Sequence, residues 1–144
     1  RTLQKNPDDL DARGIIMMGA SLSTSSRLGI GKEEPFAYEI YELEFLPEKL
    51  FGSSYRRSLT SVFPRFLQAM GKHHADDIRK YYHDAFGFDS SIEESSRKLV
   101  ELFEGFGVEM YYDGKITREQ VDAIPCHTEL SKEEVFDIIN SLIR

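Results

Sequence analysis

The sequence predicts an all-α fold, a bundle of about seven helices in a single helical domain over residues 1–144, from three observations. Apolar residues recur at three- and four-residue spacing through most of the chain. Helix-opening pairs such as Thr117 with Gln120 and Ser131 with Glu134 stand in front of several of these runs. Strand-like composition is confined to one stretch, VEMYYDGKI at 108–116, with Asp113-Gly114 as a turn signal. That stretch fits an extended connector better than a hairpin.

The elements follow in order. Asn6-Pro7-Asp8-Asp9 is a helix start, with Asn6 as the capping residue, and the helix is expected to run from about Pro7 toward Leu28. Its middle mixes Ile15, Ile16, Met17 and Met18 with Gly14, Gly19, Ala20 and Ser21, a pattern suited to close approach by a neighbouring helix. A second helix opens at Glu33-Glu34-Pro35, buries Phe36, Ile40 and Leu43, and should end or kink near Leu46 because Pro47 follows. After Gly52-Ser53-Ser54 a third carries Leu59, Val62, Phe63, Phe66 and Met70 on one face, with a kink expected at Pro64. ADDIRKYYHDAF forms a fourth, closed by Gly87. The next takes Ser90 as its cap, with Glu93 reaching back, and buries Ile92, Leu99, Phe103 and Phe106. Two short helices bury Val121 and Ile124, then Val135, Ile138 and Leu142.

At 144 residues the chain is long enough to bury one real core. A net charge of -7 disfavours nucleic acid as a partner, because a phosphate backbone demands a basic surface. No run is long and apolar enough to span a membrane. The single cysteine, Cys126, excludes an internal disulfide and agrees with a reducing cytoplasm. The chain begins with Arg1 rather than Met, which suggests a piece of a longer or processed protein.

Catalytic signatures are sparse. There is no P-loop, no G-x-G-x-x-G and no H-E-x-x-H. His73 and His74 diverge by about 100° on a helix and read as a solvated helix start. His83 reads as a polar surface residue. His127 beside Cys126 lacks the four ligands that structural zinc needs. Cys126 has no base at a motif-like spacing, so it is not read as a nucleophile. Glu39 and Glu42, at i,i+3, share a side of their helix. With Glu44 and Glu48 they read as a solvated acidic face, and the competing reading is carboxylates turned toward a cation. Arg56 and Arg57 read as answering those glutamates rather than holding an anion.

Three segments add a resemblance. NPDDLDARGIIMMGASLS, then FAYEIYELEFL, then YRRSLTSVFP resemble, in order and spacing, the C-terminal helical domain of the iron-containing (group III) alcohol dehydrogenases, whose fold is dehydroquinate synthase-like. LVELFEGFGVEMYYDGKITREQVDAI and EEVFDIINSLI look like later parts of the same domain. The resemblance implies a parent oxidoreductase interconverting alcohols and aldehydes with NAD(P), a divalent metal (Fe or Zn) as Lewis acid, an upstream nucleotide-binding domain as partner, and a possible homo-oligomer. It also assigns positions. The family's first metal-ligand histidine falls on Glu39, its nicotinamide-proximal histidine on Leu43, and its later ligand histidine on Tyr55, with Arg56 in place of the following glycine. Histidine is absent from all three, so ordinary family chemistry is expected to be altered or lost. The alternatives are a non-catalytic helical module for packing, oligomerisation or regulation, and a free-standing helical binding domain outside the family.

Overall fold

The computed structural model describes residues 2–24 and 39–144, and the chain divides into two compact units, Arg1–Pro35 and Phe36–Arg144. Every regular element among the described residues is helical, and none of these helices is long and apolar enough to cross a membrane.

In the first unit, α1 (Thr2–Lys5) is a single turn and α2 spans Leu10–Thr24. The expected start at Pro7 is corrected to Leu10. Asn6 is spent on a turn, its Oδ1 accepting from the Asp8 amide at 3.3 Å. Asp9 does the capping instead, its Oδ1 accepting from the Ala12 amide at 2.8 Å. The expected continuation of α2 to Leu28 lies outside the described residues. Close approach at the glycines is not found, since no described atom lies within 4 Å of a Cβ built on Gly14 or Gly19. Leu10, Ile15, Ile16, Met17, Met18 and Leu22 are 47–81% exposed.

The second unit contains α3 (Glu39–Phe51), α4 (Tyr55–Met70), α5 (Ala75–Phe86), α6 (Ile92–Gly105), α7 (Arg118–Asp122) and α8 (Lys132–Asn140). The proposed opening at Glu33-Glu34-Pro35, with Phe36, lies outside the described residues. Helix α4 is central and packs on α3, α5, α6 and α8. Its Val62, Phe66, Leu67 and Met70 are buried with Leu43 and Leu46 of α3, Leu99 of α6 and Ile138 and Ile139 of α8. Leu59 and Phe63 are partly buried against that core.

Pro47 neither ends nor interrupts α3, which continues to Phe51. Its ring has no N–H to offer the Leu43 carbonyl, a loss of about 3 kcal/mol in an isolated helix. Pro47 is itself buried beside Leu43 and Leu46, and that packing offsets the loss. Gly87 closes α5 at φ 68°, where a Cβ would be strained, and the amides of Gly87 and Phe88 return to the carbonyls of His83 and Tyr82. The cap of α6 is Ser91, one residue later than Ser90: Ser91 Oγ accepts from the Glu94 amide, while Ser90 Oγ meets Ser95 Oγ at 3.0 Å. Phe106 is 46% exposed rather than buried, because it follows the last helical residue and Gly107 turns the chain at φ 79°. Both remaining capping boxes, at Thr117 and Ser131, are present.

The stretch 108–116 is a connector with one unforeseen role. Tyr112 donates its amide to the Leu142 carbonyl at 2.7 Å and accepts from the Arg144 amide at 3.1 Å, a single parallel bridge with Ile143. Its ring stacks on Phe51 at 4.5 Å, and its hydroxyl meets Ser53 Oγ at 2.9 Å and Ser61 Oγ at 3.1 Å. One side chain therefore ties the α3–α4 turn, α4 and the C-terminus together. Tyr112→Phe should keep the stacking and cost about 1 kcal/mol in urea unfolding, because Ser61 retains its bond to the Ser58 carbonyl.

Candidate functional site

Helix α3 carries two polar faces with different jobs. At about 100° per residue, Tyr41, Glu44 and Glu48 fall within one stripe, and Glu39 points to the far side of the helix.

On the first face, Glu39 Oε2 accepts from the Glu129 amide at 3.0 Å and from Thr128 Oγ1. Glu42 Oε2 accepts from the His127 amide at 3.3 Å. The expected solvated acidic face is corrected here: these two carboxylates hold the segment from His127 to Glu129 against α3, a use invisible to local spacing because the partners lie far along the chain. Cys126 sits half-buried beside them. Burial, then the Glu42 and Glu39 carboxylates, pushes its thiol up to about 11, which disfavours the thiolate at neutral pH. Glu39→Ala should remove both bonds and cost about 2 kcal/mol in urea unfolding.

On the second face, Glu44 is buried, 2% exposed, and its Oε2 has no hydrogen-bond partner among the described residues. Burial first, and the Glu48 carboxylate second, push Glu44 up to about 7. Tyr55, at the start of α4, completes the group. Burial raises its hydroxyl, with smaller contributions from Tyr41, Glu44 and Glu48. The rings of Tyr41 and Tyr55 remain about half exposed. Glu44 also departs from the solvated reading, and a helical wheel could have found it. It lies four residues after Ile40 and three before Pro47, inside the buried stripe of α3.

The three positions assigned by resemblance are thus not brought together. Glu39 is engaged by the 127–129 segment, Leu43 is 0% exposed in the core, and Tyr55 stands with the opposite stripe. Leu43 is a hydrocarbon with no group that could relay a proton. A carboxylate and a phenol at the two ligand positions do not match the histidine donors that the resemblance implies, so these residues do not fit the family's metal. The histidines are dispersed and each near a carboxylate or its segment: His73 Nε2 is 3.4 Å from Glu134, His74 Nε2 2.6 Å from Glu129, and His83 Nδ1 2.6 Å from Asp89. No group of three histidine, cysteine or carboxylate side chains among the described residues is arranged to hold a metal ion.

Arg57 answers a carboxylate, but not one on α3. It pairs with Glu109 at 3.1 Å, donates to the Tyr111 carbonyl, and stacks over Tyr112 at 4.3 Å. The connector crosses the start of α4 there, and no sequence spacing announces that crossing. Compared with known proteins, the chain matches no family model, no curated protein and no solved structure.

Proposed function

We propose that this chain is the helical domain of an alcohol dehydrogenase-like polypeptide in which packing has taken over from metal chemistry at the positions of the metal site. The order and spacing of the three resembling segments support the parentage. An upstream NAD(P)-binding domain, a cytoplasmic setting and self-association belong to the same reading. The observation that carries the loss of chemistry is the engagement of Glu39, whose carboxylate holds the Thr128 hydroxyl and the Glu129 amide. A carboxylate spent on holding its own fold is not free to ligate, and its companions at the other two positions are a buried leucine and a tyrosine turned away.

Elemental analysis tests this directly. The full chain, equilibrated anaerobically with Fe(II) or with Zn(II) and then dialysed, should retain no stoichiometric metal. One equivalent per chain that Glu39→Ala or Tyr55→Phe releases would overturn the proposal.

A further inference from the structure

Two opposite charges line one cleft without pairing. The cleft, about 270 Å³, opens between α4 and α8, a size just under that of sites for drug-sized ligands and suited to a small molecule. Arg65, Gln68 and Ala69 of α4 form one wall, and Asp137, Ile138 and Ser141 at the end of α8 form the other. Lys72 and Glu134 also line it, but they pair with each other at 3.3 Å. Arg65 and Asp137 have no ion-pair partner among the described residues, although both border this space. Arg65 is nonetheless held in place. Its Nη1 donates to the Ser61 carbonyl at 2.9 Å, and its guanidinium lies 4.9 Å from the centre of the Tyr111 ring. Burial, the largest influence, disfavours its charge; Tyr111 and Glu104 oppose that effect and Arg144 adds to it. A guanidinium carries five N–H donors, so these contacts leave donors for a ligand.

We propose that this cleft binds a small ω-amino acid, a molecule with a carboxylate at one end of a short methylene chain and an ammonium at the other. The carboxylate would take Arg65, whose planar fork suits it, and Gln68, three residues on and on the same side of α4. The ammonium would take Asp137 and the Ser141 hydroxyl. Ser141 Oγ spends its hydrogen on the Ile138 carbonyl at 2.6 Å, so its lone pairs are left to accept. Ala69 and Ile138, both buried, give the methylenes an apolar floor. Ser141 borders Arg65 in this cleft and in the neighbouring one between α4 and α6. Asp137 lies four residues back along α8, a rise of about 6 Å, which suits a ligand whose own charges are set apart. A simple anion would meet Asp137 and Glu134, and a simple amine would meet Arg65. One charge alone is opposed where both together are matched. The cleft includes none of Glu39, Leu43 and Tyr55, so the proposal stands or falls independently of the alcohol dehydrogenase reading.

The test titrates the full chain, labelled with ¹⁵N, with 6-aminohexanoate at neutral pH and constant ionic strength. The amides of Gln68, Asp137 and Ser141 should shift saturably. Hexanoate and n-hexylammonium, each with one of the two charges, should bind at least about tenfold more weakly. Asp137→Asn, an exposed change, should weaken binding of 6-aminohexanoate at least about tenfold, and Arg65→Gln likewise. Absence of saturable shifts, equal binding of either single-charge compound, or unchanged affinity in Asp137→Asn overturns the proposal.

Discussion

Glu44→Gln is expected to leave stability unchanged near pH 4.5 and to raise it by about 3 kcal/mol at about pH 8. The sign follows from proton linkage. Burial and the neighbouring Glu48 lift the folded-state value from 4.5 to about 7. Below 4.5 both folded and unfolded chains carry the proton, and the carboxyl costs little. Between 4.5 and 7 the unfolded chain releases its proton while the folded chain keeps it, so stability falls as pH rises. Above 7 both are ionised and the penalty is constant. The rise from 4.5 to about 7 corresponds to about 3 kcal/mol.

The difference between wild type and variant, taken at each pH by urea unfolding, isolates this group from the other titrating side chains. The titratable groups that interact with Glu44 are Glu48 on α3 and Tyr55 on α4. Glu134, held down to about 2 chiefly by the Ser131 amide, acts in the opposite sense and only in acid. Parallel stability curves for wild type and Glu44→Gln would show that Glu44 is solvated after all.

Leu43→His should destabilise the fold by about 3 kcal/mol or more, a cost comparable with Leu43→Ala. The substitution introduces the residue that the proposed parentage would put at this position, and here the position is core. Leu43 is fully buried against α4. An imidazole there would lose the packing of the leucine and bring polar nitrogens with no partner to meet them. Urea unfolding of both variants measures the two costs side by side. Near-native stability of Leu43→His would mean that the α3–α4 interface still has room for a functional side chain.

Sequence alone made much of the scaffold legible, for reasons that are local. The boxes at Thr117 and Ser131 and the left-handed glycine at Gly87 depend on residues three or four apart, and all appear as expected. Serine caps are less sharply placed, because Ser90 and Ser91 are chemically alike and the choice of Ser91 was made by where Ser95 packs. Pro47 misleads for the opposite reason: its intrinsic effect is strong, and only the surrounding core keeps α3 helical past it.

The site was less legible than the scaffold. Glu39 and Glu42 lie close in sequence, but their partners are contributed by residues near 128, and no periodicity records that meeting. Tyr112 is similar, since its bonds to Ser53, Ser61 and the C-terminus join distant parts of the chain. Glu44 is the exception. Its place inside the stripe of Ile40, Leu43 and Pro47 follows from helical spacing alone.

The central claim is that Glu39, at the position where the proposed parentage would put a metal ligand, does structural work. Urea unfolding of wild type and Glu39→Ala, each with and without saturating Fe(II) or Zn(II), tests it most directly, because a ligand that binds the folded state must raise its stability. The account predicts that Glu39→Ala loses about 2 kcal/mol in both conditions and that metal leaves both proteins unchanged. Metal-dependent stabilisation of the wild type that vanishes in Glu39→Ala would contradict it.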